Sequence, residues 1–244
     1  MGGRLAVLAD IHGNYRALQA VLEDICCQRV EQIFALGDNI GYGPEPEEVV
    51  RALREHRVIS VMGNHELGLI SRSYYLRLQV IARISLDLTR NLLSQESLQW
   101  LACLPLFHVS CNTRFVHACP PQSITTYLIA PSDNRLQRLF TLYPEQICFA
   151  GHTHDFGFYV QYGLKICRHT PSLEQRTVVQ PGRYLIQPGS VGQPRDMLNR
   201  HAKYMLWDVE KQTVQIRSVP YDVQTTVHLL QERGFPVSNA QRLL

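Results

Sequence analysis

The sequence lacks the features of membrane and exported proteins. No apolar run approaches the ~18 residues that a membrane-spanning helix needs, and the short apolar run 5–9 does not form a signal peptide. Low-complexity linkers, internal repeats and long blocks of like charge are also missing from the chain. These absences predict a cytoplasmic protein that has no membrane partner.

Disulfide and nucleic-acid signatures are missing as well. The 7 cysteines are odd in number and form no C-x-x-C pair, so we expect reduced thiols without a chemical role. The 24 lysines and arginines only slightly exceed the 21 acidic residues, and they form no dense basic run. A nucleic-acid partner is therefore not indicated, although the small positive excess suits an anionic substrate.

The apolar pattern at the start of the chain predicts alternating strands and helices. Apolar runs at 5–9, 32–36 and 58–62 indicate strands, and residues with helical spacing over 15–28 and 45–55 separate them. Such alternation predicts parallel strands that are joined by right-handed crossovers. The amino-terminal part therefore belongs to the α/β class.

The pattern changes after residue 66. Residues 67–102 are helical in pattern, and we expect them to cover the site or one edge of a sheet. Strands are then predicted, in chain order, at 106–110, 114–117, 147–150, 156–161, 176–179, 184–187, 204–209 and 214–219. A docked helix and tail are predicted over 222–244, with Asp222 as the helix N-cap and Gly234 as the residue that ends the helix. Two sheets flanked by helices fit this order better than one doubly wound sheet, and we expect a single domain over 1–244.

Metal-capable side chains follow the three amino-terminal strands. Asp10 and His12 come after the first strand, Asp38 after the second, and Asn64 and His65 after the third. In extended backbone, Asp10 and His12 would point to the same side. The strand ends of an α/β sheet are where ligands bind, so three such ends in succession favour a site over polar surface turns.

Three further histidines follow later strands. His117 ends a short apolar strand, where alone it is more simply explained as a buried structural histidine, and His152 and His154 form a paired turn after 147–150. With the amino-terminal donors they make eight metal-capable side chains, twice what one tetrahedral site needs. A pair of metal ions roughly 3.5–4 Å apart would suit in-line displacement at phosphorus.

The ordered set D-x-H, G-D, G-N-H-E, H and G-H-T-H between Asp10 and His154 resembles the calcineurin-like metallophosphoesterase superfamily. The stretches 9–14, 36–44 and 188–195 resemble its compact bacterial phosphodiesterase branch. The resemblance implies a four-layer α/β/β/α sandwich with two mixed sheets. It also implies a phosphodiesterase with two divalent metal ions, for which we expect Mn²⁺, with Fe, Zn, Co or Ni as alternatives.

The resemblance further implies a role for each donor. One metal ion would be held by Asp10, His12, Asp38 and His154, and the other by Asp38, Asn64, His117 and His152. Asp38 would therefore bridge the two ions. His65 would donate a proton to the leaving oxygen, because an unperturbed histidine titrates near pH 6.5; the alternative is that His65 only orients its neighbours.

The chain departs from the family pattern shortly after Asp38. Protein serine/threonine phosphatases of the superfamily continue into an acid-arginine pair, whereas this chain has Gly41 and Tyr42 there. The acidic partner of the catalytic histidine and a phosphate-binding arginine are thus both missing. This departure argues against a protein phosphatase and favours a small or nucleotide-like phosphodiester as the substrate.

Three residues are candidates for substrate binding. The guanidinium of Arg195 could pair bidentately with a phosphate, or it could form a structural ion pair with Asp196 or another acid. Asn14 and Asn39 could reach substrate oxygens, although hydrogen bonding within their own turns is the simpler role for each.

Two other functions stay open at this point. A phosphomonoesterase or protein phosphatase would use the same metal site, whereas a non-catalytic scaffold of this fold would bind protein partners. Such scaffolds usually lose metal ligands or the histidine of the G-N-H motif, and this chain keeps both. The sequence indicates no oligomeric state.

Overall fold

The structure is a computed structural model, and it describes residues 3–169, 172–196 and 198–244. Its strands are β1 (Arg4–Leu8), β2 (Val30–Ala35), β3 (Ile59–Ser60), β4 (Phe107–Ser110), β5 (Thr113–Val116), β6 (Ile147–Ala150), β7 (Phe156–Tyr162), β8 (Lys165–Arg168), β9 (Arg176–Val178), β10 (Arg183–Pro188), β11 (Ala202–Asp208) and β12 (Thr213–Val219). Its helices are α1 (Tyr15–Cys26), α2 (Pro46–Glu55), α3 (Asn64–Ile70), α4 (Arg72–Tyr75), α5 (Val80–Leu92), α6 (Gln95–Ala102), α7 (Asp133–Phe140), α8 (Val223–Glu232) and α9 (Val237–Gln241).

The described strands form two six-stranded mixed sheets. The first sheet has the order β3-β2-β1-β11-β12-β9, and its amino-terminal strands β1, β2 and β3 are parallel to one another. The second sheet has the order β4-β5-β6-β10-β7-β8, and β5, β6 and β10 run parallel. The predictions of two mixed sheets and of parallel amino-terminal strands are confirmed.

The alternation of side chains along each strand divides the core into layers. In β1, Leu5 and Val7 belong to the cluster between the sheets, whereas Ala6 and Leu8 pack on the other face with α1. Successive strand residues point to opposite faces of a sheet. In the second sheet, α7 packs on the residues of the outer face. The layers follow the order α/β/β/α, which confirms the predicted sandwich.

Aromatic rings fill the space between the two sheets. The Phe34 ring of β2 stacks on the Phe115 ring of β5 with 4.0 Å between the ring centroids, so this pair joins one sheet to the other. Phe149 of β6 stacks on Phe115 from the neighbouring strand at 5.8 Å. This layer holds the carboxyl ends of β2, β5 and β6 at a fixed separation.

The helical segment predicted at 67–102 consists of α3, α4, α5 and α6 in the structure. Leu69, Leu86 and Leu101 from this segment pack with Ile40 and Val50, which lie in the loop after β2 and in α2. The segment therefore covers the loop that follows β2. No helix in the described parts of the chain is long and apolar enough to cross a membrane.

Three elements were not predicted from the sequence: α7, β8 and α9. Helix α8 begins as expected, because the Asp222 side chain accepts a hydrogen bond from the Thr225 backbone N–H, and Gly234 follows it with a φ of +70°. The short helix α9 then folds back, and Leu243 joins an apolar cluster that contacts Leu88 and Leu92 of α5.

Replacing Phe115 with alanine should lower the free energy of unfolding by about 3–5 kcal/mol, because the ring is fully buried between the sheets. Urea unfolding of the wild-type and Phe115→Ala proteins measures the loss. Phe107→Ala on the neighbouring strand β4 is the control, since Phe107 is 37% exposed and should lose less than half as much. Equal losses would contradict a packed layer at Phe115.

Candidate metal centre

The predicted donors meet where strand ends of both sheets converge. They share complete or nearly complete burial, and they are Asp10, His12, Asp38, Asn64, His117, His152 and His154. The loops after β1 and β2 in the first sheet carry the first three, and the loops after β5 and β6 in the second sheet carry the last three. Asn64 is the first residue of α3, four residues after β3.

Five of these donors have left-handed backbone. Their φ angles are +53° for Asp10, +51° for His12, +51° for Asp38, +69° for His152 and +60° for His154. Left-handed backbone costs of order 1–3 kcal/mol for a residue with a side chain, and it clusters at functional sites. The prediction that Asp10 and His12 converge through extended backbone is wrong: tight left-handed turns direct the two side chains.

The donor atoms form two groups that share one carboxylate. In the first group, one ligand atom each from Asp10, His12, Asp38 and His154 lies within 4.8 Å of the others. In the second group, one ligand atom each from Asp38, His117 and His152 also lies within 4.8 Å of the others. The Asn64 Oδ1 atom is 3.1 Å from His117 Nε2. The Oδ2 atom of Asp38 is 3.7 Å from His12 Nε2 and 3.5 Å from His117 Nε2, between the two groups.

Backbone carbonyls fix the tautomers of three donor histidines. The Nδ1 atoms of His12, His117 and His154 lie 3.2, 2.8 and 2.8 Å from the carbonyl oxygens of Ile40, Leu36 and Gln193. A carbonyl only accepts hydrogen bonds, so each Nδ1 carries the proton and each Nε2 presents a lone pair. Burial lowers the pKa of His117 to about 4, so the ring is neutral at physiological pH.

The lone pairs of His12 and His154 converge without a proton between them, because their Nε2 atoms are 3.0 Å apart. His117 Nε2 also lies 3.0 Å from His152 Nδ1. Two lone pairs at this distance repel each other unless a cation lies between them. Because the second nitrogen of a metal-bound histidine commonly donates to a carbonyl, the arrangement matches that of metal ligands.

The two carboxylates add negative charge to the same small volume. Burial, together with the charge of Asp38, raises the pKa of Asp10 well above its usual range. Burial also raises the pKa of Asp38 to about 7. Both shifts are costs of keeping buried carboxylates charged without a cation. Carboxylate oxygens and neutral imidazoles are donors for divalent first-row metals, and the residues present therefore fit two such ions.

Glu66 joins two of the ligand-bearing loops. Its buried carboxylate accepts hydrogen bonds from the backbone N–H groups of Asp38 at 2.9 Å, Asn39 at 2.8 Å and Gly63 at 2.8 Å. The Asp38 carboxylate in turn accepts from the His65 N–H at 2.8 Å. The motif G-N-H-E gives Glu66 no role by itself, and the structure shows that this residue positions the shared carboxylate.

His65 lies beside the shared carboxylate but has no acidic partner of its own. Its Nε2 atom is 4.0 Å from Asp38 Oδ2, and its buried Nδ1 has no hydrogen-bond partner among the described residues. A Cβ atom at Gly41 would lie only 2.2 Å from this Nδ1. Burial lowers the pKa of His65 to about 3, well below the 6.5 of an unperturbed histidine, so the ring is neutral in the protein without bound ions.

A cleft of about 400 Å³ opens over the donors. Arg195, one of the predicted substrate-binding residues, lines it. It is also lined by residues that were not among the predicted site residues: Tyr42, Tyr74, Arg77, Tyr127 and Arg242. The Tyr127 ring stacks on the His152 ring with 3.8 Å between centroids, and the Tyr42 ring contacts both His12 and His65. No local motif marks these side chains, because distant parts of the chain bring them together.

The structure separates the three predicted substrate-binding residues. Arg195 is exposed in the cleft, and its alternative partner Asp196 instead forms an ion pair with Lys203 at 3.0 Å. Asn14 and Asn39 are fully buried and do not line the cleft.

Both asparagines have structural partners. Asn14 accepts from the Ala17 N–H at the start of α1 and donates to the Gly192 carbonyl. Asn39 donates to Ser60 Oγ at 2.9 Å. Asn14 therefore has the bond within its own turn that was the simpler role considered for it, whereas Asn39 bonds to Ser60 of β3, outside its own turn.

Comparisons with known proteins agree with this geometry. The sequence model of the calcineurin-like phosphoesterase family matches residues 3–156, which include all seven donors. An uncharacterized protein of Methanocaldococcus jannaschii is 32% identical over 245 aligned positions, covering 98% of this chain and 96% of the relative. The crystal structure of a metallophosphoesterase from Sphaerobacter thermophilus superposes with a TM-score of 0.86 at 33% identity, covering 100% of this chain and 98% of the other.

A more distant relative carries a named activity. The symmetrical bis(5′-nucleosyl)-tetraphosphatase of Erwinia tasmaniensis is 31% identical over 123 residues. The match covers 46% of this chain and 42% of the tetraphosphatase, so it concerns less than half of either protein.

Replacing Glu66 with glutamine should weaken metal binding by about 10- to 100-fold, the usual cost of losing a residue that orients a metal ligand. The amide cannot accept all three backbone N–H groups in the same way, so the loop of Asp38 loses its support. Calorimetric titration of metal-stripped protein with Mn²⁺ measures the change. Glu23→Gln on the exposed face of α1 is the control, and equal affinities in both variants would contradict the role of Glu66.

Proposed function

The chain belongs to the calcineurin-like phosphoesterase family, and we propose that it is a dinuclear-metal-dependent phosphodiesterase for a small or nucleotide-like substrate. The observation that carries the proposal is the pair of donor groups that share Asp38 beneath an arginine- and tyrosine-lined cleft. The ligands are Asp10, His12, Asp38 and His154 for one ion, and Asp38, Asn64, His117 and His152 for the other. Mn²⁺ is the proposed metal, and Fe, Zn, Co and Ni suit the same donors.

The protein's own residues prepare the site for attack at phosphorus. Bound divalent ions supply an ionised water and neutralise charge on the phosphoryl oxygens. Asp38 keeps the two donor groups together, and Glu66 holds Asp38. Arg195 pairs with the non-reacting phosphate oxygens, because its guanidinium is exposed in the cleft.

His65 is the proposed proton donor to the leaving oxygen. It lines the cleft within 4.0 Å of the shared carboxylate, which would put it beside a phosphate bound at the donors. Its pKa of about 3 means that the ring is neutral before substrate binds. An anionic phosphodiester beside the ring favours its protonated form and thereby supports the transfer. A role in orienting Asp38 is the alternative, since the His65 N–H donates to that carboxylate.

A diester suits this cleft better than a phosphoprotein. At Gly41, a Cβ atom would lie 2.2 Å from His65, so the space that an acidic partner would need is taken by the histidine ring itself. Tyr42 and Tyr127 offer aromatic surface beside the donors, which a nucleotide base can use for stacking. The named activity of the tetraphosphatase relative also concerns a nucleotide substrate. A non-catalytic scaffold would not need the complete donor set.

Metal-stripped protein that is resupplied with Mn²⁺ should hydrolyse bis(p-nitrophenyl) phosphate faster than p-nitrophenyl phosphate. Asp38→Asn should reduce the diesterase rate by at least about 10²-fold, because the shared ligand and its charge are lost. Asp87→Asn, an exposed carboxylate on α5, is the control and should keep the wild-type rate. A metal-loaded wild-type protein that is silent on both esters would contradict the proposal.

His65→Ala should keep both metal ions. Its hydrolysis rate should fall most on substrates whose leaving group needs a proton to depart. The expected loss is about 10²- to 10⁴-fold for an alkyl leaving group, which needs a proton, and much smaller for p-nitrophenolate. Elemental analysis of the variant and rates on the two ester types make the comparison, with His56→Ala as the exposed control. Release of metal from His65→Ala, or equal losses on both esters, would assign the residue an orienting role.

A further inference from the structure

A second cavity adjoins the cleft. It measures about 450 Å³, and Arg195 and Arg242 line both cavities, so they stand at the boundary. Arg200 and Gln193 also line the second cavity. Gln193 Oε1 accepts hydrogen bonds from Arg242 at 3.3 Å and from Arg195 at 3.4 Å, which holds the two guanidinium groups on one acceptor.

Within the described parts of the chain, the three arginines of this region form no ion pair with a carboxylate, although Arg195 interacts through its charge with Asp10 and Asp38. Arg114 and Arg217 form ion pairs with Glu145 and Asp24 elsewhere in the fold. By contrast, no carboxylate of the described chain lies within ion-pair distance of Arg195, Arg200 or Arg242, although Asp196 lies next in sequence to Arg195 and is taken by Lys203. Arg200 and Arg242 therefore present positive charge to the second cavity that no carboxylate among the described residues pairs with.

The scissile phosphate does not account for this charge. Two divalent ions held by the Asp10 and Asp38 carboxylates would leave two positive charges, which one hydroxide and one phosphodiester anion would balance. In the proposed function, Arg195 pairs with the same phosphate from the cleft. A diester with a single phosphate therefore needs no charge from Arg200 and Arg242. Their positive charge matches a further anionic group on the substrate.

Arg242 is fixed in place although it belongs to the last residues of the chain. The buried Asn239 donates from Nδ2 to the Tyr42 carbonyl at 2.8 Å and to Ser85 Oγ at 3.0 Å. Leu243 is buried in the apolar cluster beside α5. The guanidinium of Arg242 lies 5.9 Å from the Tyr42 ring, which itself contacts the donor His12. The carboxyl-terminal segment therefore places the guanidinium of Arg242 at the edge of the metal site.

We propose that Arg200 and Arg242, beside Gln193, form a subsite for a second phosphate group of the substrate. The inference rests on the proposed phosphodiesterase function and makes it more specific. The substrate is then a nucleotide-like diester that carries an additional phosphate on the side of the second cavity. A group that is held equally tightly in the ground state and in the transition state lowers KM and leaves kcat unchanged, and we expect this of a phosphate that does not react.

Two chromogenic substrates that differ by one phosphate test this subsite: the p-nitrophenyl ester of thymidine 5′-phosphate, with and without a 3′-phosphate. The wild-type KM should be about tenfold lower, or lower still, for the phosphate-bearing ester, as expected for added charge-assisted hydrogen bonds. Arg242→Ala and Arg200→Ala should each remove most of this difference. Arg51→Ala, an exposed arginine on α2 whose partner is Glu55, should preserve it.

A binding measurement separates failure of the subsite from failure of the enzyme. Calorimetric titration of the Mn²⁺-loaded protein compares thymidine 3′,5′-bisphosphate with thymidine 5′-phosphate and needs no turnover. Tighter binding of the bisphosphate that disappears in Arg242→Ala supports the subsite even if neither ester is hydrolysed. Equal affinities of the wild type for the two compounds, or an advantage that survives both arginine substitutions, would overturn it.

Discussion

The electrostatic conflict around Asp38 is the constraint on which the rest of the site depends. Two buried carboxylates and several imidazole lone pairs converge within a few ångströms, and the carbonyl partners of His12, His117 and His154 prevent the rings from turning a proton inward. Buried like charges and facing lone pairs are unfavourable unless cations lie among them. The fold is therefore organised for ions, and their charge resolves a conflict that the protein's own groups create.

The surrounding structure keeps these donor groups close together. Aromatic packing between the sheets fixes the separation of the strands that bear the donors, and left-handed turns aim the donors inward. Glu66 then joins the loop of Asp38 to the loop of Asn64 through three backbone hydrogen bonds. Each of these features costs conformational freedom, and metal binding offsets the cost because it stabilises only the folded arrangement.

The sequence predicted the sheets and the donors well, because both follow local patterns. Apolar runs indicated the two sheets, and the ordered donor motifs at their ends carried the resemblance to the family. It did not predict the backbone of Asp10 and His12, since left-handed turns at residues other than glycine depend on tertiary support. It also did not predict Arg242 or Tyr127 as cleft residues, because the folding back of α9 and the stacking on His152 join segments far apart in sequence.

The most direct test of this account is electron paramagnetic resonance of the protein titrated with Mn²⁺. A carboxylate shared by two donor groups predicts two ions per chain at a separation of roughly 3.5–4 Å, close enough for their spins to couple. At full loading we expect the spectrum of an exchange-coupled pair, which reverts to isolated ions in Asp38→Asn. A wild-type spectrum of isolated Mn²⁺ at saturation, or a stoichiometry of one ion per chain, would contradict the shared centre.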